Sequence, residues 1–122
     1  MNKNEALKYI CGMPQEFNTT RDVSWNILCY EAKKYISDFK ISKQEVMEFL
    51  KRNKTFIDYW IQYSDDKRTS GGYGLDPDSG ILKIKQYVKN DKLIVLKASE
   101  DFAEICAEYI FMECHLTEVK ND

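Results

Sequence analysis

The chain has little of what membrane proteins, fibrous proteins and nucleic-acid coats are built from. Five glycines and two prolines among 122 residues exclude a collagen-like or low-complexity chain. No apolar run approaches the roughly 18 residues that a membrane-spanning helix requires, so we expect no membrane partner. The formal net charge at pH 7 is only −2, and no strong overall field therefore draws the molecule to nucleic acid or anionic lipid.

Catalytic and metal-binding patterns are missing as well. The single histidine, His115, has no C-x-x-C pair beside it of the kind that zinc sites use. Ser70 does not stand in a nucleophile elbow, and the glycine-rich stretch 71–74 lacks the lysine and hydroxyl of a P-loop. We therefore predict no catalytic residue, no metal and no cofactor.

What is present is the composition of one globular domain. Hydrophobic residues make up 43% and charged residues 31% of the chain, and its length lies in the range of about 100–150 residues typical of domains. No repeat or linker divides residues 1–122, so we predict a single domain. The first ten residues lack the apolar core of a secretory signal and the four cysteines are irregularly spaced. We expect a cytoplasmic location and reduced thiols.

The N-terminal half shows the periodicity of amphipathic helices. Residues 2–11 predict a short helix that ends at Gly12. A longer helix follows, with Thr19 or Thr20 as its N-cap, and continues to about Phe39.

A capping box opens the next helix. Ser42 and Glu45 have the spacing of that motif, and the helix is predicted to end at Asn53. Thr55 is predicted to cap a further helical segment. The interval 64–80 holds four of the five glycines, and we predict a long loop there.

A β-hairpin and a last helix complete the chain. Two apolar, β-branched runs at 81–88 and 93–97, joined by a turn at 89–92, predict antiparallel strands. Ser99 is predicted to cap a helix over about 100–116. Since an isolated hairpin is marginal in water, it must pack against the helices. The predicted fold class is α+β, with a mainly helical N-terminal half, a long glycine-rich loop, a small antiparallel sheet and a C-terminal amphipathic helix.

Charge is unevenly distributed along the C-terminal half. Residues 81–97 carry five lysines against one aspartate, and residues 99–122 carry seven acidic residues against one lysine. Two interpretations are open. The basic hairpin and the acidic helix neutralise each other as neighbours, or the acidic helix faces outward towards a cationic partner.

The last helix also carries apolar residues on its predicted polar arc. Phe111 and Met112 stand there among carboxylates, a mixture typical of protein-binding surfaces. In the alternative interpretation, Phe111 is covered by the long loop or by the N-terminal helix.

Two segments carry a resemblance to a known family. They are DKRTSGGYG at 66–74 and AEICAEYIFMEC at 103–114, separated by the hairpin and preceded by the helical half. This arrangement resembles small bacterial immunity proteins of contact-dependent growth inhibition and other polymorphic toxin systems. The resemblance implies a cytoplasmic non-enzyme that binds one cognate toxin domain and occludes its active site.

A partner surface follows as a hypothesis. Many such toxins are nucleases with basic clefts, which an acidic surface would complement. Charge reversal at Glu104 and Glu108 is expected to weaken binding with little effect on the melting temperature. The hypothesis assigns to this surface the helix residues Asp101, Glu104, Glu108, Phe111 and Met112 and the loop residues Asp65, Asp66, Arg68 and Tyr73.

A second function from another class also fits part of the pattern. The helices over 42–63 could form a helix-turn-helix, with lysines of the helices and hairpin on phosphates. Apolar Ile57, Trp60 and Ile61 in the presumed recognition helix argue instead for a core position. A nucleic-acid-binding regulator is therefore the alternative.

Overall fold

The computed structural model describes residues 1–20, 23–66, 72–88 and 92–118, with only the backbone at position 66. Within these ranges the chain forms six helices and a three-stranded antiparallel sheet, and the predicted α+β class is confirmed. The elements are α1 Lys3–Cys11, α2 Met13–Thr19, α3 Trp25–Phe39, α4 Lys43–Arg52, α5 Thr55–Asp66, β1 Gly72–Asp78, β2 Ile81–Val88, β3 Lys92–Ser99 and α6 Phe102–Glu113.

Local capping explains where most helices begin. The predicted capping box of α4 is confirmed, with Ser42 and Glu45 each accepting from the other's backbone N–H. The predicted start of α3 was wrong, because Ser24 is its N-cap. Thr20 instead ends α2, a helix that the sequence analysis did not predict. Pro14 is compatible with α2 because it lies in the first turn, where no intrahelical N–H bond is lost.

The final helix also begins later than predicted. Asp101 is its N-cap and accepts from the N–H of Glu104 at 3.2 Å. Ser99 belongs to the end of β3, and its hydroxyl accepts from the N–H of Asp101. The carboxylate at the N-cap also complements the positive end of the helix dipole.

The sheet has the order β1-β2-β3, and its first strand lies inside the interval predicted as a loop. That prediction was wrong over 72–78, where the chain pairs antiparallel with β2. A left-handed turn at Ser79 and Gly80, with φ of 53° and 83°, joins the two strands, as tight hairpins require. The glycines and the proline of β1 are typical of turns. For that reason the composition predicted a loop where the structure has a strand.

α6 lies at the centre of the domain. It contacts α4, α5 and all three strands, and 7 of its 12 residues are buried. Trp60 of α5 is fully buried nearby and donates its indole N–H to the carbonyl of Cys11 at 2.8 Å. A helix that packs on two sides buries more than the single stripe of a surface helix. Part of the predicted polar arc of α6 is therefore buried.

Candidate functional site

The acidic residues of α6 face lysines of the same chain. The Glu108 carboxylate lies 2.9 Å from the ammonium of Lys43 and 3.8 Å from that of Lys97, which also lies 3.5 Å from Glu104. Asp101 lies 3.4 Å from Lys51 in addition to capping the helix. The interpretation in which the basic hairpin neutralises the acidic helix therefore holds at Lys97, whereas Lys43 and Lys51 belong to α4.

Phe111 is buried, so of its two interpretations the one that exposes the side chain was wrong. Only 4% of the residue is accessible, and the Lys43 ammonium lies 5.5 Å from the ring centroid. Because α6 packs against α4 as well as against the sheet, the arc expected to face solvent is partly interior. Met112 is half-buried and packs against the core.

The predicted loop residues that the structure describes lie in regular elements rather than in a loop. Tyr73 lies in β1, packs against the core and accepts at its carbonyl from the Tyr109 hydroxyl at 3.5 Å. Asp65 is exposed near the end of α5, and Asp66 is the last residue of that helix. Arg68 lies outside the described residues.

Lysines expected to serve the nucleic-acid alternative are also engaged within the chain. Lys83 lies 3.4 Å from a carboxylate oxygen of Asp78, and Lys85 forms an ion pair with Asp76. These cross-strand pairs lie on the outer face of the sheet. Each lysine therefore has a carboxylate beside it rather than an open approach to a phosphate.

The helix proposed for nucleic-acid recognition has its apolar side in the core. Ile57 and Trp60 of α5 are buried and Ile61 packs against the core. This agrees with the core position that the apolar character of these residues indicated. The packing leaves that side of α5 unable to enter a groove of DNA.

Among the described residues, a run of four exposed apolar side chains lies in β3, and the sequence patterns did not predict its exposure. Leu93, Ile94, Val95 and Leu96 are 48%, 47%, 51% and 42% exposed. Alternation places Leu93 and Val95 on one face of the sheet and Ile94 on the other, so both faces of the strand are accessible. We call these four residues the β3 patch. The run of four apolar residues without alternation was the available signal, but it reads equally well as a buried strand.

The β3 patch lies at a sheet edge. Within the described ranges β2 is the sole strand neighbour of β3. The pairing shifts by one residue, because Ile84 lies opposite Lys97 whereas Lys85 lies opposite Val95. Leu96 is left without an opposite residue, as in a β-bulge. Exposed Tyr87 lies opposite Leu93 and extends the apolar surface across the sheet.

An open cleft of about 660 Å³ lies between α4, α5 and the start of α6. Its described lining contains lysines and carboxylates but no serine, cysteine or histidine side chain. Among residues that the structure describes, no three or more histidine, cysteine, aspartate or glutamate side chains are grouped to hold a metal ion. Likewise, no described helix has the length and apolar character needed to cross a membrane.

Comparison of the chain with protein-family models, with curated proteins and with solved structures finds no match.

Proposed function

We propose that this chain is a non-enzymatic, cytoplasmic immunity protein that binds one cognate bacterial toxin domain, a nuclease in the sharpest version, and occludes its active site. The resemblance carried by residues 66–74 and 103–114 supports the family. The β3 patch supports a protein partner.

The exposure of the β3 patch is the observation that carries the proposal. A sheet edge presents backbone groups with which a partner can pair, and contiguous exposed apolar surface marks an interaction site. Here four consecutive apolar residues remain about half exposed at such an edge. Covering them would contribute roughly 1 kcal/mol per side chain, half the value for complete burial.

The acidic residues of α6 have a different role in this proposal from the one that the sequence hypothesis assigned to them. Glu104 and Glu108 lie beside Lys97, which belongs to the same strand as the β3 patch. They therefore form a charged rim next to an apolar centre, the usual anatomy of a protein interface. In the proposal the β3 patch provides the anchoring contacts, and the paired charges of the rim surround it.

Capture from the cells that make the protein tests the partner. The tagged chain is expected to retain one toxin C-terminal domain in near-equal amount at moderate salt. The purified toxin domain should then lose its activity when the chain is added. Recovery of nucleic acid in place of a protein would contradict the proposal and favour the regulator.

Substitutions test the surface. Val95→Lys should weaken toxin binding at least tenfold, because it places an ammonium in the apolar centre. Ile27→Lys is the matched control, since Ile27 is 55% exposed on α3 and should leave binding unchanged. Equal binding by the two variants, with equal melting temperatures, would remove the β3 patch from the interface.

A further inference from the structure

Two cysteines that are distant in sequence meet at a cleft between α3 and the end of α6. Cys29 lies on α3 and Cys114 is the C-cap of α6. Both line an open cleft of about 430 Å³, together with Lys33 and Glu113. The two thiols line the same cleft, and both are free rather than bridged.

The two thiols differ in accessibility and in acidity. Cys29 is half-buried, whereas Cys114 is fully buried. The hydrogen bond from Cys114 lowers the pKa of the Cys29 thiol, and Lys33 on the next turn of α3 lowers it further, while burial and Glu113 act in the opposite direction. The same hydrogen bond raises the pKa of Cys114. Cys29 therefore has the character of an attacking thiolate, and Cys114 that of a resolving thiol.

We propose that Cys29 and Cys114 form a reversible disulfide by exchange with a low-molecular-weight disulfide such as oxidised glutathione. The Cys29 thiolate attacks one sulfur of the reagent, which forms a mixed disulfide and releases one thiolate. Cys114 then loses its proton and attacks the Sγ of Cys29, which releases the second thiolate. Two protein thiols are thus oxidised by two electrons, the reagent is reduced to two thiols, and these take up the two protons.

The bond would join parts of the chain that are otherwise loosely connected. α3 packs mainly against α1 and α2, whereas Cys114 ends the central helix. A cross-link between positions 29 and 114 closes a long loop of chain and restricts the unfolded state. Oxidation would therefore add a covalent link between α3 and the end of α6.

The other two cysteines provide an internal control. Cys11 and Cys106 are both 0% exposed, and burial raises the pKa of each thiol. A dissolved disulfide cannot reach them in the folded protein. Oxidation of the folded chain is therefore restricted to the pair at the cleft.

The test treats the folded full chain with oxidised glutathione, followed by intact mass measurement and non-reducing peptide mapping. The expected product has lost two hydrogens, links the peptides of Cys29 and Cys114, and melts several degrees higher. Cys114→Ser should stop at a stable mixed disulfide on Cys29. Cys29→Ser should not react.

Three results would overturn the proposal. They are an unreactive folded chain, a mixed disulfide that persists at Cys29 in the natural sequence, and a bridge that includes Cys11 or Cys106. The assay needs no toxin, so its outcome is independent of the proposed function.

Discussion

The hydroxyl of Ser64 in α5 bonds to both backbone groups of Leu75 in β1. It accepts from the N–H at 2.6 Å and donates to the carbonyl oxygen at 3.4 Å. A side chain of a helix thus occupies the backbone bonds at one edge of the sheet, where α5 packs on β1. At the other edge, β3 has β2 as its sole strand neighbour in the described part of the chain. The two edges of the sheet therefore differ in what packs against them. α5 packs on the β1 edge, and the exposed apolar residues lie at the β3 edge.

Ser64→Ala is expected to lower the free energy of unfolding by about 1–2 kcal/mol, because the N–H of Leu75 loses its partner in a part-buried place. Urea denaturation measures the change. Ser37→Ala, at an exposed position of α3, is the control and should shift the midpoint little. Equal shifts for both variants would show that Ser64 does not hold the edge.

Glu108→Lys is expected to destabilise the fold by about 1 kcal/mol, because it places a third ammonium beside Lys43 and Lys97. This replaces the earlier expectation that charge reversal on α6 leaves the melting temperature nearly unchanged. Thermal unfolding at low and high salt checks the cause, since added salt screens the repulsion and should reduce the difference. A salt-independent difference would point to packing instead.

Glu45 should contribute a pH-dependent part of the stability. Burial raises the pKa of its carboxyl, but hydrogen bonds from Ser42 and Lys3 outweigh burial and hold it below the ordinary value of 4.5. Because the folded-state pKa is depressed, the stabilisation is present above pH 4.5 and is lost as the pH falls through the folded pKa. Glu45→Gln should be less stable by roughly 0.5–1 kcal/mol at neutral pH.

The difference between Glu45→Gln and the natural chain should shrink as the solution is acidified. Denaturation midpoints of both proteins over an acidic pH series measure it. A difference that stays constant down to the lowest pH at which both fold would contradict the assigned ion pair and cap.

Trp60→Phe is expected to cost about 2–3 kcal/mol. The variant leaves the carbonyl of Cys11 without the indole N–H and opens a small cavity at a fully buried position. Tyr30→Phe, at an exposed position of α3, should be nearly neutral in the same denaturation series.

Leu93→Lys should change the free energy of unfolding by about 0.5 kcal/mol or less, because half of the side chain already faces solvent. Leu82→Ala, at a fully buried position of the neighbouring strand, should cost about 2–4 kcal/mol. Similar decreases in the free energy of unfolding for both variants would mean that β3 is packed as core. That result would contradict the assignment of the β3 patch as an interaction surface.

The sequence by itself determined the elements whose signals are local. The capping box of Ser42 and Glu45 places the start of α4 because both bonds join residues three apart. The hairpin over β2 and β3 follows from two apolar runs around a short turn. In these elements, the interactions that stabilise the structure connect near neighbours in the chain, so the pattern of residue types is sufficient.

Three features depend on tertiary structure. They are the formation of β1, the charge partners of α6 and the exposure of β3. Leu75 lies in a strand because β1 pairs with β2 and Ser64 bonds to both backbone groups of Leu75, although the surrounding composition is typical of a loop. Glu108 has Lys43 and Lys97 as partners, and neither lies within one helical turn of it in sequence. The apolar run of β3 predicts a strand, but burial of a strand depends on how many elements pack against it. That number is a property of the assembled fold, and here it leaves the β3 patch open to solvent.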